Sequence, residues 1–431
     1  MSESFAVIGG EGFLGHALII ALSAKYPDLT VVSLDVIQRH FPEKMAWKFD
    51  ICDLTSLTSL TSAFTSHDIT TVLHTASPAI GASKALCEKV NVEGTRYIVQ
   101  ACRDTGVKKL VYTSSASLVF DGNDMINVDE RCARPENILD PYNNTKARAE
   151  AIVLGANGKD GLLTCSIRPS GVFGPGDRLN IPASIRVIKN GRHKIRIGGD
   201  VQLFGLTYID NVIHAHLLAV SKLGTSVTIS AFRNRLRNVD VSLPRRPIPT
   251  SATVRLPADV NTSQKTHVED NPESEPLLPS ARNRFDQWFD LQQIPSEDQE
   301  NASIPVAGQA YFISNGENPP FWSWMRAVWC EYSGYSKSMW AIPGEIALAY
   351  ATVENAFCRL RGRSSTMPKP YIQLALASRY TNIEKARRLL GYEPVMGLDE
   401  GLRLAVKWYK ANEESVDVAL GYTKIPIKRA L

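Results

Sequence analysis

The first half of the chain alternates short apolar runs with amphipathic segments of helical length. Runs rich in β-branched residues and bounded by turn residues predict buried strands, and these are SFAVIGG, LTVVSLD, TTVLHTA, KKLVYTSS and, later, TCSIRPSGVFG. Helical periodicity marks the segments FLGHALIIALSAKY, KVNVEGTRYIVQACRDTG and NNTKARAEAIVLGA. Strands that alternate with helices in this way predict an α/β fold, in which helices cover both faces of a parallel sheet.

The pattern is lost between residues 225 and 303, where Ser, Pro, Arg, Asn and Asp are frequent. Such a composition cannot bury enough apolar surface to offset the entropy lost on ordering, so we predict a mostly disordered insertion. Order resumes with a strand-like run, AGQAYFISNG, then an aromatic-rich helix, FWSWMRAVWCEY, and a closing unit that ends in LDEGLRLAVKWYK. The chain therefore divides into residues 1–224, the insertion 225–303 and a smaller C-terminal part, 304–431.

The segment nearest in character to a membrane span is Met339–Phe357. It is interrupted by Glu345 and Glu354, and no stretch of the chain reaches the roughly 18 uninterrupted apolar residues of a typical span. We interpret it as an amphipathic helix whose apolar side either covers the core or rests on a bilayer. The chain starts with MSESFAVIGG, which runs directly into the first strand, so we expect no secretory signal.

Charge and cysteine content narrow the function classes. The formal net charge is +4 and no long lysine or arginine run occurs, so nothing in the composition favours nucleic-acid binding. The seven cysteines are dispersed, form no CxxC pair and have no histidines at metal-ligand spacing. They predict reduced thiols in a cytosolic setting, with no disulfide framework and no metal site.

A glycine-rich turn, GGEGFLG, links the first strand to the first helix. Glycine lets the backbone turn sharply there and lets a pyrophosphate approach the free N–H groups at the helix N-terminus. This strand–turn–helix context predicts the dinucleotide site of a Rossmann-type, doubly wound sheet. The residues of the turn that we expect to contact the cofactor are Gly9, Gly12, Phe13, Leu14 and Gly15.

Acidic residues at the ends of the next two strands are suited to the adenosine half of the cofactor. Asp35 ends the second strand, where a carboxylate can accept both ribose hydroxyls of NAD and would repel the 2′-phosphate of NADP. NAD is therefore the expected cofactor, and the alternative is that Asp35 only stabilises a turn. Asp50 and Ile51 end the third strand and are expected at the adenine, although the nearby Asp53 could instead cap a helix.

Tyr142 and Lys146 have the YxxxK spacing, which places both side chains on one helical face. A free tyrosine has a pKa of about 10, too high for a base at neutral pH, and a lysine ammonium beside it favours the phenolate. Ser115 lies at the carboxyl edge of the preceding strand, where its hydroxyl can orient a substrate oxygen beside Tyr142. The three residues predict hydride transfer from a secondary alcohol, with Ser114 as the neighbouring candidate for the serine.

The same edge of the sheet is expected to supply further cofactor contacts. Asn91 lies on the helix before the strand that ends in TSSAS, and its amide either anchors a water for proton relay or is a satisfied polar group of the helix. Lys146 is also expected to hold the nicotinamide ribose. The remaining expected cofactor contacts are Ala76, Ser77, Asn91, Ser114, Tyr142, Pro169 and Val172.

These motifs together resemble a known family, the extended short-chain dehydrogenases/reductases. The resemblance rests on GGEGFLG, Asp35, HTASP, VNVEGT, YTSSAS, YNNTK, RPSGVFGPGD and YIDNVIHAHLLA. Within that family the segments AYFISNGENPPFWSWMRAVW and RYTNIEKARRLLGYEPVMGLDEGLRLAVKWY resemble the 3β-hydroxysteroid dehydrogenase type, in particular the decarboxylating sterol-4-alpha-carboxylate group of fungal sterol synthesis. The sequence departs from that group at Gly205, where an acidic residue is usual, and in the length of the insertion.

The resemblance implies oxidation by NAD of the 3β-hydroxyl of a 4-carboxysterol with loss of CO2, to give a 3-ketosteroid in C4 demethylation of ergosterol-type sterols. Residues 1–224 would form the NAD-binding domain with the catalytic residues, and 304–431 a substrate-binding, membrane-facing part. It also implies attachment to the cytoplasmic face of the endoplasmic reticulum membrane, a homodimer and association with other C4-demethylation enzymes. Three alternatives stay open: a non-decarboxylating 3β-hydroxysteroid or triterpenoid dehydrogenase, a nucleotide-sugar epimerase or reductase, and a non-catalytic NAD-binding protein.

Overall fold

Parallel strands form the centre of the fold. The computed structural model describes residues 3–40, 46–79, 81–132, 135, 141–232, 302–334, 339–361 and 369–421. Its strands are β1 (Ser4–Ile8), β2 (Thr30–Asp35), β3 (Lys48–Ile51), β4 (Thr71–His74), β5 (Lys109–Thr113), β6 (Met125–Val128), β7 (Leu163–Pro169), β8 (Gly171–Phe173), β9 (Ile195–Ile197), β10 (Leu206–Tyr208), β11 (Ser226–Thr228), β12 (Ser303–Pro305), β13 (Gln309–Ile313), β14 (Trp340–Ile342) and β15 (Arg379–Thr381). A seven-stranded sheet has the order β13-β7-β5-β4-β1-β2-β3 with parallel pairing throughout, which confirms the predicted doubly wound sheet.

Helices cover both faces of this sheet. They are α1 (Phe13–Lys25), α2 (Leu57–Ser66), α3 (Lys84–Cys87), α4 (Thr95–Thr105), α5 (Pro141–Leu154), α6 (Asn180–Lys189), α7 (Ile209–Lys222), α8 (Ile229–Phe232), α9 (Phe321–Ser333), α10 (Gly344–Leu360), α11 (Lys369–Leu376) and α12 (Leu398–Ala419). Along β1, Phe5 and Val7 pack with residues of α1, while Ala6 and Ile8 pack with residues of α2 and α4 on the other face. Because both faces of β1 are buried, its sequence is an almost uninterrupted apolar run.

The strand order reverses between β1 and β4. Strands β2 and β3 lie on one side of β1, whereas β4 and β5 lie on the other. The N–H of Thr75, just after β4, donates to the carbonyl of Ile8 at 2.9 Å, so the segments that follow β1 and β4 start side by side. Connections that diverge at the carboxyl edge of a parallel sheet leave a crevice there, which is where doubly wound folds bind their ligands.

The chain after residue 224 completes the same sheet. Strand β13 is its seventh strand and pairs with β7, so the division predicted at 224 does not separate two independent sheets. Residues 225–232, predicted as part of the insertion, contribute β11 and α8, and β11 pairs with β12. Ile229 and Phe232 are buried, and these apolar contacts hold this end of the segment in place. The rest of the predicted insertion, residues 233–301, lies outside the described residues.

Two predicted elements differ from those observed. The run TCSIRPSGVFG, predicted as one strand, forms two, β7 in the central sheet and β8, which pairs with β10. The segment Met339–Phe357, predicted as one amphipathic helix, starts with β14, which pairs with β9, and α10 begins only at Gly344. In both cases the pairing partner is distant in sequence, so local periodicity does not reveal it. Within the described residues, every helix is too short or too polar to cross a membrane.

Candidate active site

The turn between β1 and α1 requires glycine at two positions. Gly9 has a φ of +80°, and a Cβ there would lie 2.7 Å from the Cα of Ala76. A Cβ on Gly15 would lie 2.1 Å from the carbonyl oxygen of Gly9. The predicted cofactor contacts Gly9, Gly15 and Ala76 therefore pack directly against one another at the crevice.

Helix α1 directs an uncapped N-terminus at the crevice. Gly12 is its N-cap residue and makes no side-chain cap hydrogen bond, and the first turn, which includes Phe13 and Leu14, has no acidic residue. The first N–H groups of a helix have no intrahelical acceptor and carry a partial positive charge. This end of α1 therefore fits the pyrophosphate of a dinucleotide.

Asp35, at the end of β2, lies beside the glycine turn. One oxygen of its carboxylate accepts the backbone N–H of Glu11 at 3.1 Å, and the other accepts the N–H of Val36 at 2.8 Å. These two bonds hold the carboxylate next to the turn, which is the side on which the adenosine ribose is predicted.

Glu11, between two glycines of the turn, is a functional candidate that sequence reasoning missed. Its buried carboxylate accepts the hydroxyl of Ser33 at 2.7 Å and the backbone N–H groups of Arg39 and His40 at 2.7 and 2.9 Å. Burial acts to raise the pKa of this carboxyl, but the hydrogen bonds from Arg39, Ser33 and His40 outweigh burial and lower the pKa below its usual value. Glu11 therefore ties the segment after β2 to the turn, and its only sequence signal was an ionisable residue inside a glycine motif.

Asp50 and Ile51 lie at the end of β3. The carboxylate of Asp50 is 3.3 Å from Nε2 of His67, and the side chain of Ile51 is 71% exposed. Asp53 accepts the backbone N–H and the hydroxyl of Thr55, both at 2.8 Å, and so stabilises the turn before α2. The adenine contacts of Asp50 and Ile51 stay predictions.

A chain of hydrogen bonds joins the segment after β4 to α5. The hydroxyl of Ser77 donates to Oδ1 of Asn91 at 3.2 Å, and Nδ2 of Asn91 donates to the hydroxyl of Thr145 at 2.9 Å. Thr145 in turn donates to the carbonyl of Tyr142 at 2.9 Å. Asn91 is buried in a π-helical turn, Glu88–Gly94, and both ends of its amide are hydrogen-bonded, as expected of a satisfied polar group.

Tyr142 and Lys146 lie one helical turn apart on α5. Lys146 is only 2% exposed, and its ammonium donates to the carbonyl of Thr113 and lies 4.3 Å from the centre of the Tyr112 ring. Burial lowers the pKa of Lys146 to about 7, and the Glu150 carboxylate one turn along the helix opposes that shift. Near neutral pH, a charged group bound beside Lys146 would therefore change the fraction of Lys146 that is protonated.

Ser115 is tied to the helix of Tyr142 through two residues that the sequence did not reveal. The hydroxyls of Ser115 and Ser117 are 2.7 Å apart, and Ser117 donates to Oδ1 of Asn143 at 2.6 Å. Asn143 directly follows Tyr142 on α5. Ser114, the alternative serine, points its hydroxyl into a buried position where it has no hydrogen-bond partner among the described residues. Ser115, unlike Ser114, is therefore linked by side-chain hydrogen bonds to the helix of Tyr142, and its contact with a substrate stays a prediction.

Pro169 and Val172 continue the same edge of the sheet. Pro169 ends β7, and Val172 lies in β8 with its carbonyl held by Nδ2 of Asn180 at 2.6 Å. Between them, the N–H of Ser170 donates to the carbonyl of Ile313 on β13 at 2.9 Å. Strand β13 thus fixes the segment from Pro169 to Val172, which is predicted to pass beneath the nicotinamide.

The chain is similar to known proteins over most of its length. The model of the 3-beta hydroxysteroid dehydrogenase/isomerase family matches residues 6–236. The chain belongs to this family. It is 30% identical over 416 residues to a decarboxylating sterol-4-alpha-carboxylate 3-dehydrogenase of Candida albicans, covering 94% of this chain and 97% of the relative. It is 37% identical over 225 residues to the human protein of that name, covering 52% of this chain and 59% of the relative.

Solved structures extend the comparison of the fold. The UDP-glucuronic acid 4-epimerase of Bacillus cereus, in complex with NAD, matches with a TM-score of 0.59 and 17% identity, covering 95% of this chain and 99% of that one. At this identity the likeness shows the fold alone, and it agrees with the Rossmann-type architecture described above.

Proposed function

We propose that this protein oxidises the 3β-hydroxyl of a 4-carboxysterol with NAD and releases CO2, yielding a 3-ketosteroid in the C4 demethylation of ergosterol-type sterols. The observation that carries the proposal is that the three predicted catalytic residues are brought together at α5. Lys146 is buried against the end of β5, and Ser115 is linked through Ser117 to Asn143, which directly follows Tyr142 on α5. The near full-length similarity to decarboxylating sterol-4-alpha-carboxylate 3-dehydrogenases supports the substrate class.

The dinucleotide would be held by the glycine turn, the N-terminus of α1 and Asp35. NAD, once bound, supplies the hydride acceptor. The carboxylate of Asp35, held beside the turn by the backbone N–H of Glu11, would repel the 2′-phosphate of NADP, because like charges at close range are mutually destabilising. The position of Asp35 supports NAD over NADP.

Tyr142 and Lys146 on α5, together with Ser115, would move the proton of the substrate hydroxyl. Tyr142 would accept the proton of the 3-hydroxyl as the hydride leaves C3, because the nearby Lys146 ammonium stabilises the phenolate. Ser115 would donate a hydrogen bond to the same oxygen and hold it in line with Tyr142. The resulting ketone lies β to the carboxylate.

Decarboxylation then needs no further base. The bond between C4 and the carboxylate carbon breaks, CO2 leaves, and the electron pair moves into the C3 carbonyl to form an enolate. Donors from Ser115 and Tyr142 would stabilise that oxygen, since preorganised donors aimed at a developing charge are effective in a site shielded from water. Protonation at C4 completes the 3-ketosteroid.

A substrate panel tests the proposal. Purified protein would be given NAD with a 4-carboxysterol, a 3β-hydroxysteroid without a carboxyl group, or a UDP-sugar, and both NADH and trapped CO2 would be measured. NADH together with CO2 from the carboxysterol is the expected result. NADH without CO2 would indicate a plain hydroxysteroid dehydrogenase, turnover of only the UDP-sugar a nucleotide-sugar enzyme, and NAD binding without turnover a non-catalytic protein.

We also propose that the protein contacts the cytoplasmic face of the endoplasmic reticulum membrane through α10. This helix exposes apolar side chains at alternating spacings of three and four residues, which places them in one stripe: Ile346, Tyr350, Val353, Phe357 and Leu360. Trp340 in the preceding strand is 81% exposed, and Arg361 stacks on Phe357 at 4.1 Å. Apolar stripes flanked by aromatic and basic residues are typical of helices that lie in a membrane interface.

Flotation with vesicles of phosphatidylcholine and phosphatidylinositol tests this contact. Val353→Ser combined with Phe357→Ser should lower the bound fraction severalfold, whereas Ile20→Ser, which alters an exposed apolar residue of α1, should not. Equal flotation of all three proteins would contradict the assignment, and a fluorescent fusion would test the membrane in cells. A homodimer and association with other C4-demethylation enzymes stay predictions.

A further inference from the structure

The side chain of Ser117 links the two segments that carry the hydroxyls of the candidate active site. Its Oγ lies 2.7 Å from Oγ of Ser115 and donates to Oδ1 of Asn143 at 2.6 Å. Ser115 lies two residues after the end of β5, whereas Asn143 directly follows Tyr142 on α5. These two side-chain hydrogen bonds, here termed the Ser117 bridge, connect the Ser115 turn to the helix of Tyr142.

The backbone of Ser117 holds the same hydroxyl. Its N–H donates to Oγ of Ser115 at 3.2 Å, so Ser115 caps the short helical turn Ala116–Val119. Ala116 and Leu118 are buried, whereas Ser115 and Ser117 are half-buried. Both serine hydroxyls therefore lie on the more open side of the turn, and Oγ of Ser115 is held there by two contacts with one residue.

The donors of the bridge can be assigned by counting hydrogens. A serine hydroxyl has one hydrogen to donate, and its oxygen can also accept. Because Ser117 donates its hydrogen to Asn143, the contact between the two serines uses the hydrogen of Ser115. In this arrangement Ser115 donates to Ser117.

A substrate oxygen would compete for the hydrogen of Ser115. Once Ser115 donates to that oxygen, the hydrogen of Ser117 can turn from Asn143 to Oγ of Ser115, which lies within hydrogen-bond distance. The N–H and the hydroxyl of Ser117 would then both donate to Ser115. Hydrogen bonds in a chain polarise one another, so Ser115 would become a stronger donor to the substrate oxygen.

We propose that Ser117 is a positioning residue that acts through Ser115, an inference that rests on the proposed function. It holds Oγ of Ser115 at a fixed place relative to Tyr142, because both groups must reach the same substrate oxygen. It then donates to Ser115 while Ser115 donates to the substrate. Asn143 accepts the Ser117 hydrogen in the first arrangement and so orients the Ser117 side chain.

This role concerns the chemical step more than substrate binding. Negative charge grows on the substrate oxygen as its proton passes to Tyr142, and again when the bond between C4 and the carboxylate carbon breaks. A preorganised donor aimed at a developing charge stabilises the transition state more than the bound substrate. Loss of the Ser117 bridge should therefore lower kcat, with little change in KM for the sterol or in the affinity for NADH.

The test is a double-mutant cycle on the rate of NADH formation from a 4-carboxysterol. Ser117→Ala should lower kcat about tenfold, as expected for the loss of one hydrogen bond to a catalytic group. With Ser115→Ala already present, Ser117→Ala should have little further effect, because a residue that acts through Ser115 loses its role with that hydroxyl.

A matched pair of variants separates the hydroxyl from the shape of the side chain. Ser117→Thr and Ser117→Val have nearly the same volume, but only the threonine keeps a hydroxyl. The threonine variant should retain most of the wild-type kcat and exceed the valine variant about tenfold. Asn144→Ala, at the exposed position beside Asn143, is the control and should keep the wild-type kcat.

A structural role would give a different pattern. Ser117→Ala would then lower kcat by the same factor with and without the Ser115 hydroxyl, or would lower NADH affinity and the thermal midpoint together with kcat. Either result, or equal kcat in the threonine and valine variants, would overturn the inference and leave the proposed function intact. If the wild-type enzyme oxidised neither a 4-carboxysterol nor another 3β-hydroxysteroid with NAD, both would be overturned.

Discussion

Glu150 holds the helix that carries Tyr142 and Lys146 against the sheet. Its carboxylate accepts Nε and Nη2 of Arg168 at 2.9 and 2.6 Å and the hydroxyl of Ser166 at 2.9 Å. The side chains of this ion pair are 0% and 6% exposed. Glu150→Gln keeps the volume but leaves the Arg168 charge buried without its counter-ion, which should lower the free energy of unfolding by about 3–5 kcal/mol.

The same helix offers a matched control. Arg148 donates to both oxygens of Glu88 at 2.7 Å, and these side chains are 50% and 35% exposed. Because solvent screens that pair, Glu88→Gln should cost less than about 1 kcal/mol. Urea unfolding followed by tryptophan fluorescence would compare both variants with the wild type at neutral pH. If Glu150→Gln were no more destabilising than Glu88→Gln, the buried pair would not anchor α5.

Three further predictions concern the glycine turn, the cofactor choice and pH. Gly15→Ala would place a Cβ 2.1 Å from the Gly9 carbonyl, so NADH affinity, measured by fluorescence titration, should fall at least about tenfold; an unchanged Kd would contradict the close packing. Asp35→Ala removes the carboxylate expected at the ribose, so the ratio of kcat/KM with NAD to that with NADP should fall at least about tenfold, and a constant ratio would exclude Asp35 as the determinant. The pKa of Lys146 is lowered to about 7 in the folded protein, whereas its ordinary pKa is 10.5. Between these two pH values the Lys146 amine is protonated in the unfolded chain but mostly neutral in the folded protein, so its contribution to the free energy of unfolding rises with pH. Lys146→Met should remove that part of the pH dependence in urea titrations, and identical pH profiles would refute the assignment.

The central strands could be predicted because burial on both faces leaves a continuous apolar run in the sequence. SFAVIGG and LTVVSLD correspond to β1 and β2 almost to the residue. The pairing of β13 with β7 could not be predicted, because the two strands are separated by the insertion and no local pattern encodes the partner. The same limit applies to Trp340–Ile342, for which local periodicity predicts a helix although the segment pairs with β9.

The residues of the candidate site also fall into those that could be predicted from the sequence and those that could not. Residues in spaced motifs, such as Tyr142 and Lys146, could be assigned because their chemistry requires that spacing. Glu11 and Asn143 could not, because Glu and Asn are ordinary surface residues until the fold buries them.

The measurement that tests the central claim most directly is the stoichiometry of NADH and CO2 from a 4-carboxysterol labelled at the carboxyl carbon. The wild-type enzyme should release both in equal amounts, and Tyr142→Phe should lower both rates together by about 10²- to 10⁴-fold. Tyr112→Phe is the control, since its buried hydroxyl has no hydrogen-bond partner among the described residues and its ring contact with Lys146 is kept. CO2 release that persists in Tyr142→Phe, or NADH without CO2 in the wild type, would contradict the account.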